Sequence, residues 1–320
     1  MTIKELQLLY AQSPNVAAMA KAVGSVSVKN IFLEGLMASA TPLAFAAMAT
    51  KVGKIILFVL NDADEAGYFY HDLVQIMGDS DALFFPSSYR RAVKYGQRDA
   101  ANEILRTEVL TAINVATNAK DNTPLYIVTH PEAIAELVIS RKKLDDRTMT
   151  LRNGDTTDVT RVVKTLREYG FSEVDYVYEP GQFARRGSIL DVFSFSCELP
   201  FRIDFFGDEI DSIRTFEVDT QLSKERRDTV EIVPELASSK EEKVPLLDFL
   251  PAHAMVAMRD CAFVCDAVEK TYNEGFSSQA LTEKLESATE MQREEIIAEM
   301  KRETQLVSGN DFKRRLLAFR

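Results

Sequence analysis

Residues 34–42 read Glu-Gly-Leu-Met-Ala-Ser-Ala-Thr-Pro and lie between a short apolar run, Asn30–Leu33, and a helix expected over Thr41–Lys51. A nucleotide hydrolase carries its phosphate-binding loop in such a place, with the pattern G-x-x-x-x-G-K-[ST]. Gly35 fills the first position. Ala40 stands where the second glycine belongs, Thr41 where the lysine belongs, and Pro42 where the magnesium-binding hydroxyl belongs. Ala40 adds a Cβ where the backbone must approach the phosphates. Thr41 brings no ammonium to the β- and γ-phosphates. Pro42 has neither a hydroxyl nor an N–H. Gly35–Pro42 is therefore either a degenerate phosphate loop or an unrelated strand-to-helix turn with proline in the first helical turn. Both readings argue against nucleotide hydrolysis.

Two further groupings imitate reactive sites. Asp208-Glu209-Ile210-Asp211 has the spacing of a helicase DExD box. It follows Gly207 in an expected hairpin turn, and no working phosphate loop precedes it. Cys261 and Cys265 are four residues apart and share a helix face, with only His253 nearby. A metal site needs more ligands than that, so packing is the expected role. No catalytic residue, metal or cofactor is expected.

Residues 179–220 read EPGQFARRGSILDVFSFSCELPFRIDFFGDEIDSIRTFEVDT. Gly207-Asp208 is a two-residue hairpin signal between β-rich runs. The register it sets puts Phe201, Ile203, Phe205 and Ile210 on one face. Arg202, Asp204, Phe206, Glu209 and Asp211 fall on the other. The preceding strand brings Arg185 and Arg186 up to Gly187. Two readings of the charged face stand side by side. It is either a solvated outer face or a protein-binding surface. In the second, arginine anchors paired carboxylates, and Phe183 and Phe206 offer exposed aromatic contacts.

These residues need a scaffold. A helix is expected over 2–22. Lys54–Leu60 is an unbroken apolar run, as in a strand buried on both faces. Asp62 caps a helix that ends near Gly78. Strands are expected at Asp81–Phe85 and Pro124–Thr129, a long helix after Asp99, and another helix after Pro131. Strands alternating with helices imply a mostly parallel sheet. Near residue 145 the pattern changes. A polar stretch over 141–158 holds the Asn153-Gly154 turn signal, and a helix with Val159, Val162, Val163, Leu166 and Tyr169 on one face stops at Gly170. Strands follow at 174–178, 182–195, 201–206 and 209–218. A second change falls near Pro234, with a polar linker over 237–243, a short strand at 253–258 and charged helices beyond. The fold class is α/β with a small inserted α+β domain, divided as 1–144, 145–236 and 237–320.

The 320 residues carry a net charge of -11, with 46% hydrophobic and 27% charged side chains. The composition is that of a globular chain of two or three domains. No apolar run reaches the ~18 residues of a membrane span, and no signal pattern opens the chain. Three cysteines, an odd and sparse set, fit a reducing compartment. A cytoplasmic location without membrane contact is expected. The acidic balance favours a protein partner over duplex DNA. The cluster Lys301, Arg302, Lys313, Arg314 and Arg315 is the best support for DNA binding. The chain ends in that charged helix with no closing domain signal and is expected to be part of a longer protein.

The run F-A-R-R-G-S-I-L-D-V-F at 183–193, followed by L-P-F-R-I-D-F-F-G-D-E-I-D-S-I-R-T-F at 199–216, resembles UvrB and, more closely, the transcription-repair coupling factor family, Mfd. The entry L-P-F-R and the continuation E-V-D-T-Q favour the latter. The resemblance is strongest over 160–235 and extends more weakly to the loop at 34–42. It implies a degenerate helicase-like domain in two parts, 1–144 and 237–320, around an inserted UvrA-binding domain at 145–236. Arg186, Arg202 and Asp204 match family positions that contribute to UvrA contact. Ala184 stands where UvrB has another arginine, with Arg185 beside it. UvrB's long tyrosine-rich hairpin has little room between Phe85-Pro86-Ser87-Ser88-Tyr89 and Tyr95. The implied role is UvrA recruitment without ATP hydrolysis. RNA polymerase and duplex DNA would be met through other domains of the parent, an ATP-dependent translocase. The alternatives are an ATP-dependent UvrB-type helicase subunit and a DNA-binding module.

Overall fold

The computed structural model describes residues 1–25, 27–78, 81–89, 99–118, 124–236, 242–274 and 305–318. Tyr95, Lys301, Arg302 and most of the expected linker lie outside them. In chain order the elements are α1 (Ile3–Gln12), α2 (Pro14–Val23), α3 (Ala40–Ala49), β1 (Ile55–Val59), α4 (Ala63–Met77), β2 (Ala82–Phe85), α5 (Ala100–Asn118), β3 (Leu125–Thr129), α6 (Pro131–Ala135), β4 (Val138–Ile139) and α7 (Arg141–Asp146). They continue with β5 (Met149–Arg152), α8 (Val159–Glu168), β6 (Ser172–Glu173), β7 (Gln182–Arg186), β8 (Ile189–Val192), β9 (Phe201–Phe206), β10 (Glu209–Phe216), β11 (Ser223–Arg227), β12 (Thr229–Ile232), β13 (Lys243–Val244), α9 (Leu246–Phe249), β14 (Met255–Met258), α10 (Cys261–Glu274) and α11 (Gly309–Ala318). The fold is mixed α/β. One compact unit comprises Met1–Asn102, Ala112–Val138 and Lys243–Arg320. The other comprises Glu103–Thr111 and Ile139–Glu242.

The first unit is built on a parallel sheet of order β14-β1-β3-β2. Every residue of β1 and β3 is buried, which explains their unbroken apolar sequences. Phe58 packs edge-on against Phe45 and Tyr126, with ring centroids 4.8 and 5.4 Å away. Tyr126 donates its hydroxyl to the Phe45 carbonyl at 2.8 Å. Asp62 caps α4 by accepting from the Glu65 N–H at 2.8 Å, and Gly78 ends it at φ 97°. Two expectations need correction here. The helix expected over 2–22 is two helices, because Pro14 has no N–H to continue α1 and instead opens α2. Asn30–Leu33 forms no strand. Both edges of β1 are already paired, with β14 and β3, and Phe32 is exposed.

The second unit holds an antiparallel meander, β11-β10-β9-β8-β7, to which β6 adds in parallel. The β9–β10 hairpin pairs Phe206 with Glu209 across Gly207-Asp208, and Gly207 takes the left-handed φ of 66° that the tight turn needs. Phe201, Ile203, Phe205 and Ile210 turn inward as their alternation requires. They meet Val162, Val163 and Leu166 of α8 in one core with Phe183, Leu190 and Val192. The strand expected over 174–178 does not form, and the two-residue strand Ser172–Glu173 ends just before it. The Val174 N–H still donates to Phe183, but the chain then bends and buries Val177 against Ala184, Phe193 and Phe216 on the opposite face of the sheet. The polar stretch after residue 141 is more ordered than expected, forming α7 and β5 before the Asn153-Gly154 turn.

Two stability predictions follow from this unit. Gly181 has φ 83°, and a Cβ there would meet the Phe195 ring at 3.0 Å. Gly181→Ala should destabilise the chain by about 1–3 kcal/mol, read from the denaturant midpoint. Burial, reinforced by the charge of Glu198, lifts the Glu108 carboxyl to about 7. A raised carboxyl pKa means that the folded state holds the proton more tightly than the unfolded chain. Stability should therefore fall between about pH 4.5 and 7. Glu108→Gln should flatten that fall in thermal melts across the window.

Candidate protein-interaction surface

The outer face of the six-stranded sheet is organised around one carboxylate. Asp191 sits between Leu190 and Val192 in β8 and therefore projects to the side opposite the core. It has 0% exposure. Arg202, directly across on β9, binds it with two prongs, Nε to Oδ1 at 2.8 Å and Nη2 to Oδ2 at 2.9 Å. Arg186, from the end of β7, reaches the same carboxylate and donates to the Asp175 carbonyl at 3.0 Å. The two-pronged hydrogen bonding to Asp191 holds Arg202 more firmly protonated than a free arginine.

The surroundings fix the arginines further. Arg186 lies over the Tyr176 ring and Arg202 over the Phe216 ring, 4.9 and 4.6 Å from the centroids. Arg202 also donates to the Gln221 carbonyl at 3.1 Å. Gln221 sits at a left-handed φ of 57° in the turn after β10, and its side chain bonds the Val177 and Val218 carbonyls. The Arg202 side chain is only 16% exposed, whereas Arg186 keeps 36% in water. Asp204 pairs with Arg214. Phe206, at the hairpin tip, is 81% exposed.

The charged face is thus partly covered, by Val177 and by the turn carrying Gln221. Arg186, Arg202, Asp204 and Phe206 are gathered on it. Arg185 is exposed but alternates to the opposite side from Arg186. Phe183 is no exposed contact. It is fully buried in the core beneath, because its register with Val192 turns it inward. Asp191, Arg214 and Gln221 were missed. For Asp191 the signal was available: a lone acid between apolar neighbours on a strand must face away from the core. Gln221 carries no such mark, since its role comes from a backbone carbonyl.

The loop at Gly35–Pro42 has its own geometry. Gly35 and Ala38 have left-handed φ values of 84° and 46°. The Ala40 and Thr41 N–H groups donate to the Met37 and Ala38 carbonyls at 3.0 and 3.2 Å, and Pro42 has no N–H. The helix begins at Ala40 with its first donors turned into local turns, whereas a phosphate cradle requires them free. Asp208 lies in the hairpin turn and Glu209 is exposed at the start of β10. In the charged tail, Arg314 pairs with Asp311, and Arg315 pairs with Asp248 and Asp311 at 3.0 Å each. Among the described residues, no helix is long and apolar enough to cross a membrane.

Asp191→Ala should destabilise by roughly 3 kcal/mol, the lower end for breaking a buried ion pair, because Arg186 remains partly hydrated. Arg202→Ala should cost a similar amount, since it leaves the buried carboxylate short of its main partner. Denaturant titration of both variants measures this.

Residues 149–237 match the family described as the UvrB interaction domain. Over 223 residues the chain is 29% identical to the transcription-repair-coupling factor of Bacillus subtilis (strain 168), covering 69% of this chain and 18% of that protein. The corresponding protein of Haemophilus influenzae is 30% identical over 158 residues, 49% of this chain and 13% of its own length. That of Escherichia coli (strain K12) is 26% identical over 171 residues, 53% and 14%. The chain thus spans less than a fifth of each relative. The matched domain contains the whole arginine–carboxylate face, and the chain is similar to the transcription-repair coupling factors.

Proposed function

We propose that the chain is the N-terminal UvrB-like module of a transcription-repair coupling factor, and that residues 145–236 recruit UvrA. The observation that carries this function is the Arg186–Asp191–Arg202 cluster beside exposed Phe206, inside the segment matched to the UvrB interaction domain. A preorganised guanidinium loses little freedom on meeting a partner's carboxylate, and an exposed aromatic beside it supplies apolar contact area. Recruitment needs no chemistry from this chain. The altered loop at Gly35–Pro42, with its first helical donors already used, supports a module without ATP hydrolysis of its own. RNA polymerase and duplex DNA would be engaged by other domains of a longer cytoplasmic parent. A UvrB-type helicase subunit would require a working phosphate site at that loop.

The test is titration of the chain against UvrA of the same organism, with ATP hydrolysis assayed in the same preparation. Arg186→Ala and Phe206→Ala should each weaken binding at least about tenfold, ~1.4 kcal/mol. Phe206→Ala removes an exposed side chain, so its melting temperature should match the parent's. Unchanged affinity in both variants would sink the assignment of this face, and hydrolysis without binding would favour the helicase subunit.

A further inference from the structure

The strand register aligns more of this face than the Asp191 cluster. Ala184 lies opposite Asp191, Asp191 opposite Arg202, Arg202 opposite Arg214, and Arg214 opposite Arg226. Three arginines therefore stand side by side on β9, β10 and β11, one strand spacing of about 4.8 Å apart. Like charges directly opposite one another destabilise a sheet, so such a row needs partners.

Those partners thin out towards the sheet edge. Arg202 is bound with two prongs by Asp191. Arg214 gives Nη2 to Asp204, and its Nε is buried without a hydrogen-bond partner among the described residues. Arg226 is exposed and makes no ion pair among the described residues. The row thus runs from a satisfied guanidinium to an open one at the free edge of the sheet.

We infer that Arg214 and Arg226 form a second, outer part of the docking face, which takes the carboxylates of an acidic segment of UvrA. The inference rests on the recruitment function proposed above. Charge complementarity selects an acidic polypeptide over a nucleic acid. Asp204 within the face, Glu209 and Asp211 on its hairpin, and the chain's net charge of -11 oppose a continuous phosphate backbone. Separate carboxylates can be placed between those acids.

Arg226→Glu is the decisive variant, because it touches no core residue and places an acid opposite Arg214. Its melting temperature should equal or exceed the parent's, while its affinity for UvrA should fall about tenfold or more. Arg226→Lys keeps the charge and should lose roughly threefold or less. If Arg226→Glu binds like the parent while Phe206→Ala does not, the outer subsite is wrong and recruitment stands. If the unaltered chain fails to bind UvrA, recruitment fails and the subsite with it. If the unaltered chain instead retains a fluorescent DNA duplex that Arg226→Glu releases, the row serves nucleic acid and the inference is overturned.

Discussion

Asp191 is fully enclosed on a sheet face that its neighbours in sequence cannot cover. Removing a carboxylate from water is costly unless cations and hydrogen bonds replace the lost hydration. Arg202 replaces it from β9 and Arg186 from β7, so one acid ties together three adjacent strands. The arginines are held in turn by the Phe216 and Tyr176 rings and by the Gln221 and Asp175 carbonyls. Phe206 at the hairpin tip is placed on the same face by its register with Glu209.

The two faces of the same sheet solve different problems. The inner face buries Phe183, Leu190, Phe201, Ile203 and Phe205 against α8 and supplies apolar burial. The outer face has a small apolar cluster of Val177, Ala184, Phe193 and Phe216, and it otherwise carries charge. That smaller cluster lifts the 174–178 segment off the sheet edge and across the face, which brings Tyr176 over Arg186. A surface made this way leaves its arginines little side-chain freedom.

The first unit is built on a four-stranded parallel sheet. Its loop at Gly35–Pro42 directs the early N–H groups of α3 back onto its own carbonyls. The sheet there serves as packing, with Phe58, Phe45 and Tyr126 at its centre.

The sequence alone determined the elements whose causes are local. The apolar run at 54–60, the Asp62 and Gly78 helix signals, the α8 stripe ending at Gly170 and the Gly207-Asp208 hairpin all act within a few residues. The faces of β9 and β10 followed from alternation alone. That Ala40, Thr41 and Pro42 offer no glycine, ammonium or hydroxyl was equally legible, because it is a matter of residue type. Tertiary structure decided what depends on partners far along the chain. β14, which pairs with β1, comes from some 200 residues further along the chain, and Asn30–Leu33 forms no strand. Phe183 turned inward because its strand pairs in register with β8, and residues 174–178 were drawn off the sheet by burial of Val177. The pairing of Asp191 with Arg202 needed both strands in place, since a carboxylate's environment is set by what folds against it.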